Sequence, residues 1–258
     1  MQNHTTTDKR QLIKMVALFY LIANAIALPF FYWHTEVAIW LDSIGLPERF
    51  AGLGFMWGPG IAGMICFLIF KGQISKRITF AGSSVGKAIL FYSAPFAIWT
   101  LPNVINPPID DFSIITFLGL IAFGFLMIAG EELGWCWYLQ DVLQNLKPWK
   151  RYVLIGIMWE LWHAHRWLLN DQFAETFVRS LVFLVITVLL SALIGYFTQR
   201  TRTLLVAITF HTWINLFFEF AHPNTFIALG VSIIIWIFML RKWKEGTVGI
   251  SSSIRRSD

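Results

Sequence analysis

Long apolar runs recur along the chain, separated by short polar segments. There are eight such runs, at about 14 to 34, 50 to 70, 87 to 106, 112 to 140, 152 to 169, 176 to 198, 203 to 221 and 224 to 241. Each run is long enough to cross about 30 Å of hydrocarbon as an α-helix. The pattern therefore predicts an all-α, polytopic membrane protein with eight transmembrane helices.

Composition excludes a soluble globular enzyme, because 57% of the residues are hydrophobic and only 14% are charged, whereas soluble domains carry about 25% charged residues. Little sequence is left outside the apolar runs. We predict a cytoplasmic N-terminus over 1–13, one intramembrane domain over 14–244 and a disordered cytoplasmic tail over 245–258. The cysteines, Cys66 and Cys136, both fall inside apolar runs and indicate no disulfide framework.

The basic residues indicate the topology. With the N-terminus in the cytoplasm, 17 of the 20 lysines and arginines fall in cytoplasmic segments, and only Arg49, Arg166 and Arg179 fall outside. The positive-inside rule thus predicts a multi-pass protein of the cell membrane with both termini cytoplasmic. Because the basic residues are scattered between apolar runs, the lipid bilayer is the expected surrounding and no nucleic-acid partner is predicted. The sequence does not indicate an oligomeric state.

The second apolar run contains the segment Gly54-Phe-Met-Trp-Gly58-Pro59-Gly60. Small residues four apart allow close approach of two helices, and a proline frees a backbone carbonyl. We interpret this segment as a packing site, with a substrate hinge as the alternative.

Ionisable residues inside apolar runs are the strongest functional signal, since burying them at membrane depth is costly. Three runs carry them, at Glu131-Glu132, at Glu160 and His163, and at His211 with Asn215. Adjacent helical residues diverge by about 100°, so Glu131 and Glu132 cannot point the same way. At about 1.5 Å per residue, the three groups lie about 12 to 20 Å from their cytoplasmic helix ends. A single shared cavity is therefore predicted.

These motifs resemble the CPBP intramembrane proteases, which include the type II CAAX prenyl endopeptidases. The family pattern is EExxxR, FxxxH and HxxxN or HxxxD on separate helices. The corresponding stretches here begin at Glu131-Glu132, at Trp159-Glu-Leu-Trp-His163 and at His211-Thr-Trp-Ile-Asn215. The resemblance covers roughly residues 110 to 220 and implies an eight-span fold.

The resemblance implies hydrolysis of a peptide bond by a water held between Glu131, His163 and His211. A carboxylate shielded from water suits the role of general base. His211 and Asn215, one helical turn apart, could both stabilise an oxyanion. The expected substrate is a peptide or a membrane protein, and the sequence does not specify whether it is prenylated.

The chain departs from the family pattern at the motif arginine, which Cys136 replaces. Glu132, on the same helical face, loses its expected cation and must be neutral or have another partner, for which Arg166 is the candidate. Trp159 stands where the pattern has Phe, and we interpret it as a conservative aromatic replacement. Glu160 is expected to be structural, and His165, Glu219 and His222 to lie near the outer face.

The sequence leaves the cofactor and the functional class open. Glu131, His163 and His211 would suit catalytic zinc, although we favour a metal-independent glutamate mechanism because the chain has no HExxH motif. A catalytically impaired relative, acting as a membrane scaffold or a bacteriocin self-immunity protein, is the main alternative, because Cys136 replaces the arginine. A proton-coupled transporter is a weaker alternative, because paired broken helices are not evident.

Overall fold

The computed structural model describes residues 8–105, 113–163, 173–220 and 222–243, and within these ranges the chain is helical and has no strand. The helices are α1 Lys9–Tyr32, α2 His34–Ser43, α3 Ala51–Met56, α4 Gly58–Phe70, α5 Val85–Ile105, α6 Ile114–Glu132, α7 Pro148–His163, α8 Phe173–Thr201, α9 Leu204–Glu219 and α10 Pro223–Arg241. Short 3₁₀ turns occupy Glu48–Phe50 and Lys71–Gln73. The all-α prediction is confirmed for the described residues.

Each predicted apolar run coincides with a helix or with a pair of helices. Among the described residues, five continuous helical spans are long and apolar enough to cross a membrane, judged by length and composition. A shorter apolar helix covers Leu204–Glu219. The five are Lys9–Tyr32, Glu48–Gln73, Ile115–Val142, Phe177–Thr201 and Pro223–Arg241. The protein thus has several membrane-capable helices, while the count of eight crossings stays a prediction.

Two boundaries near the N-terminus differ from the prediction. Helix α1 begins at Lys9, inside the segment that we assigned to the N-terminal tail, because the side chain of Asp8 caps it by accepting from the Arg10 backbone N–H at 3.3 Å. Helix α2 was not predicted, since its sequence is only partly apolar. The predicted tail over 245–258 lies outside the described residues.

Glycines bring α1, α4 and α6 into close contact. A Cβ atom on Gly58 would lie 2.8 Å from the Ala23 carbonyl oxygen, and one on Gly60 would lie 2.5 Å from the Gly130 carbonyl oxygen. These distances are shorter than real Cβ contacts, so only glycine permits the crossing. The structure agrees with the packing interpretation of this segment. The crossing also positions the end of α6, where Glu131 follows Gly130.

Beyond Glu132 the same helix continues in a wider form. Leu133–Leu139 is a π-helical segment, followed by one α-helical turn at Gln140–Val142. The sequence predicted a regular α-helix over this range, but Gly134 packs against the backbone of Pro59, and the wider turn occurs at this contact. Such π-helical turns are rare and occur frequently at functional sites.

Several segments that we predicted to be cytoplasmic lie together at one end of the bundle. We call this end, which includes the α4–α5 connection, the α8–α9 turn and the residues after α10, the basic end. Here Thr79 and Thr203 form an isolated β-bridge. The Thr79 N–H donates to the Arg202 carbonyl oxygen at 3.0 Å, and the Leu204 N–H donates to the Thr79 carbonyl oxygen at 2.8 Å. The Trp243 indole N–H donates to the Ser83 hydroxyl at 3.3 Å. The connection between α4 and α5 is therefore fastened to both the α8–α9 turn and the residues after α10.

Candidate active site

A cavity of about 610 Å³ lies between α6, α7, α8 and α9. Its polar lining consists chiefly of side chains that the sequence analysis selected, namely Glu131, Trp159, His163, His211 and Asn215. The remaining lining is mostly apolar and comes largely from α8, α9 and α10. The structure thus brings the three motifs together around one space, as the shared-cavity interpretation requires. Their catalytic roles stay a prediction.

Glu131 lies at the end of α6 and is only 2% exposed. Its Oε2 atom accepts a hydrogen bond of 2.6 Å from the indole N–H of Trp159 on α7. We had interpreted Trp159 as a plain aromatic replacement for the motif Phe. The structure shows a further property, because a phenyl ring has no N–H to orient the carboxylate.

His163 is the last described residue of α7. Its Nδ1 lies 2.9 Å from the carbonyl oxygen of Trp159, one turn earlier. A carbonyl oxygen can only accept, so Nδ1 carries the hydrogen and Nε2 is the acceptor nitrogen of the neutral ring. The ring is held edge-on against Trp162 and Phe183, at centroid distances of 4.7 and 5.4 Å.

His211 on α9 bonds the second glutamate rather than the first. Its Nδ1 lies 2.7 Å from Oε1 of Glu132, and both side chains are buried. In the absence of the motif arginine, Glu132 is therefore paired with His211, on another helix, a partner that the sequence did not predict. Our candidate, Arg166, lies outside the described residues, as does His165. With Nδ1 bonded in this way, His211 keeps Nε2 for the cavity that it lines.

Cys136 occupies the motif-arginine position and is 4% exposed. Gln140 donates to its sulfur at 3.1 Å, and the thiol also contacts Glu132 and Thr198. Glu132 and Cys136 are thus neighbours, as their spacing predicted, although the intervening segment is π-helical rather than α-helical. The contacts of Cys136 are with uncharged groups, apart from Glu132 itself.

The remaining polar candidates do not line the cavity. Glu160 is buried on α7 away from it, and Glu219 is exposed at the end of α9. His222 caps α10, since its side chain accepts from the Asn224 backbone N–H at 3.3 Å. Sequence reasoning missed Thr187 and Phe183, which α8 contributes to the cavity, because helix α8 carries no motif.

The histidines of the site meet one requirement of a zinc site but not another. A ligating histidine usually donates its other ring N–H to a carboxylate or a carbonyl, and His211 and His163 both make such bonds. Among the described residues, however, no three His, Cys, Asp or Glu side chains converge closely enough to hold a metal. The side chains as arranged do not fit a three-ligand site, and we assign no step to a metal.

Comparison with known proteins agrees with the motifs. Residues 114–217 match the family described as Rce1-like, type II CAAX prenyl endopeptidase. The resemblance inferred from the sequence is confirmed. CAAX prenyl protease 2 of Methanococcus maripaludis is 34% identical over 113 residues, which cover 41% of this chain. The chain spans 40% of the length of that curated relative. The family match over residues 114–217 includes all three motifs, helices α6 to α8 and most of α9, which together surround the cavity.

Proposed function

We propose that this protein is an intramembrane endopeptidase that hydrolyses a peptide bond with a water activated by Glu131. The supporting observation is the convergence of Glu131, His163 and His211, from three helices, on one largely apolar cavity. The match of this segment to an endopeptidase family agrees with the proposal. We further propose the cytoplasmic half of the cell membrane as the site of cleavage.

In the proposed reaction, the Glu131 carboxylate takes a proton from water while the water oxygen attacks the scissile carbonyl carbon. Negative charge develops on the carbonyl oxygen. Asn215 and the doubly protonated ring of His211, whose Nδ1–H pairs with Glu132 and whose Nε2–H faces the cavity, stabilise that charge by donating hydrogen bonds. The C–N bond then breaks, and protonated Glu131 returns its proton to the leaving amine. His163, which lines the same cavity, positions the water. The Trp159 N–H keeps the Glu131 carboxylate in place.

The apolar lining indicates the character of the substrate. Leu189 and Leu193 of α8, Phe218 of α9 and Ile233 of α10 line the cavity, and each is also exposed at the bundle surface. An apolar peptide segment could therefore reach the carboxylate from the lipid side. We propose peptides or membrane proteins as substrates, with prenylated peptides as one candidate because the curated relative is named a prenyl protease.

The test uses the purified full-length protein and a panel of fluorogenic peptides, both prenylated and unmodified. Glu131→Gln keeps an oxygen that can accept from Trp159 but removes the base, so we expect turnover to fall by 10² or more with little change in thermal stability. The matched control is Glu219→Gln, because Glu219 is exposed and outside the cavity. Wild-type turnover in Glu131→Gln would refute the assigned base.

Two further arms separate the alternatives. Activity that survives exhaustive chelation in metal-free protein would exclude the zinc alternative, whereas loss restored by added zinc would overturn the metal-independent mechanism. A wild-type protein that cleaves no peptide of the panel would contradict the endopeptidase proposal and favour a scaffold or self-immunity role.

A further inference from the structure

A second polar cavity, of about 240 Å³, lies at the basic end. It is lined by Arg77 from the α4–α5 connection, Gln140 and Asp141 from the end of the Glu131 helix, Arg151 from α7, and Gln199 and Arg202 from the end of α8 and the turn after it. None of these residues lines the catalytic cavity. The two cavities are therefore separate sites.

The acidic residue of this pocket is already neutralised. Asp141 Oδ2 accepts from Lys76 Nζ at 2.6 Å and from the backbone N–H groups of Arg77 and Ile78 at 3.0 and 3.2 Å. In the part of the chain that the structure describes, no carboxylate pairs with the guanidinium groups of Arg77, Arg151 or Arg202. The pocket therefore has three positive charges that Asp141 does not balance.

Arg151 is the most informative residue of the pocket, because its charged side chain is buried, with only 4% exposed. Its Nη2 donates to the side-chain amide oxygen of Gln199 at 2.5 Å and, more weakly, to the Tyr152 hydroxyl at 3.5 Å. Among the residues that the structure describes, none accepts a hydrogen bond from its Nε. A buried guanidinium with only neutral partners and an unsatisfied N–H is unfavourable unless an anion completes the site.

Backbone hydrogen bonds fix the conformation of Arg202 in this site. Arg202 has φ +55, which is uncommon for a residue with a Cβ atom. The conformation is fastened by the bonds from Arg202 N–H to Thr198 C=O, at 2.7 Å, and from Thr79 N–H to Arg202 C=O, at 3.0 Å. Arg202 is thereby fixed in the lining of the pocket, beside the connection that carries Arg77.

We propose that this pocket binds a phosphate group, supplied by the headgroup of an anionic phospholipid or by free phosphate. Guanidinium groups match phosphate oxygens with paired, charge-assisted hydrogen bonds. Basic pockets between transmembrane helices on the cytoplasmic side are suited to anionic headgroups. The predicted cytoplasmic location of Arg77, Arg151 and Arg202 agrees with a lipid source.

Binding is measured on the delipidated full-length protein, without turnover, so the result is independent of the proposed peptidase activity. The probes are phosphatidylglycerol against phosphatidylcholine in mixed micelles, and inorganic phosphate against chloride at equal ionic strength. The readouts are the thermal unfolding midpoint and the lipid retained in native mass spectrometry. Phosphatidylglycerol, phosphate or both should stabilise the protein. Stabilisation by phosphatidylglycerol alone identifies a lipid headgroup, and stabilisation by free phosphate shows that the phosphate group suffices.

The variants Arg151→Gln and Arg202→Gln should each weaken the apparent affinity by about tenfold, the effect of losing one charge-assisted hydrogen bond. Arg241→Gln is the matched control, because it removes the same charge at the same end but outside the pocket. If Arg151→Gln does not fold, the less buried Arg202 decides. No stabilisation of the wild type by either probe, or an equal loss in Arg241→Gln, would overturn the proposal.

Discussion

The indole of Trp159 contacts two of the side chains that we propose for catalysis, Glu131 and His211. At sequence level the indole counts as an aromatic ring in place of Phe. In the structure it is a donor to the proposed base, with an N–H···O distance of 2.6 Å. Trp159 also packs against His211 at a centroid distance of 5.1 Å, so it touches two of the proposed catalytic groups.

Replacing Trp159 with Phe tests this role. The family pattern carries Phe here, so the fold should persist, while the loss of a hydrogen bond to a charged group costs about 1.5 to 3 kcal/mol. We expect kcat to fall at least about tenfold. Trp243→Phe is the matched control, because it removes an indole N–H bonded to Ser83 far from the cavity. Unchanged kcat in Trp159→Phe would show that the N–H is not needed.

Cys136 raises the opposite question, whether restoring the family arginine would help. Glu132 is already paired with His211 in the structure. The buried thiol of Cys136 is surrounded by Gln140, Thr198 and Glu132. An arginine would overfill the position, at a cost of about 1 to 3 kcal/mol, and compete with His211 for Glu132. We expect Cys136→Arg to lower the unfolding midpoint and not to raise turnover. Cys136→Ser is the near-isosteric control. A Cys136→Arg variant with higher turnover and an unchanged unfolding midpoint would contradict the inference that His211 already serves as the partner of Glu132.

At the scale of elements, the position of the glutamates depends on the crossing of α4 with α6. The backbones meet at Gly60 and Gly130, directly before Glu131. The wider π-helical turn at Leu133–Leu139 follows at the next contact. Helix packing without side chains between the backbones thus sets the position from which Glu131 reaches the cavity, whereas Glu132 bonds His211.

A methyl group at this crossing should therefore disturb both stability and activity. Gly60→Ala would place its Cβ atom 2.5 Å from the Gly130 carbonyl oxygen, which costs about 1 to 3 kcal/mol by overpacking. Gly119→Ala is the matched control on α6, because nothing lies within 4 Å of its Cβ and alanine favours the helix. We expect a lower unfolding midpoint and lower turnover in Gly60→Ala only. Equal midpoints in the two variants would contradict the role of the crossing.

At the scale of the whole molecule, apolar side chains face outward all round the bundle. Leu21 on α1, Leu68 on α4 and Ile234 on α10 are 67%, 69% and 68% exposed. Such side chains are compatible with lipid rather than with water. The convergence of Lys76, Arg151 and Arg202 at one end agrees with the orientation that the charge asymmetry predicts.

Reporter fusions test that orientation and the number of crossings. Fusions at Asp110 and at the C-terminus should give opposite readings, because the positive-inside rule places them on opposite sides. A fusion in the connection around Gly82 should give the same reading as the C-terminal one. Equal readings at Asp110 and the C-terminus would refute the predicted eight-span topology.

The sequence by itself determined the helical class and the prediction that the ionisable residues of three apolar runs share one cavity. These conclusions depend on local quantities, namely the length of apolar runs and the expense of an ionisable side chain within them. Helix boundaries followed to within a few residues, except where a cap or a break intervened, as at Asp8 and at the interruption between α3 and α4.

Only the tertiary structure decided which partners those residues have. The bond from His211 to Glu132, the indole donor to Glu131 and the π-helical turn all arise from contacts between helices that are distant in sequence. The arginines of the second polar cavity, at the basic end, likewise come from three separate segments. Spacing along one helix constrains the direction of a side chain but not what another helix places opposite it, because packing between helices sets that geometry.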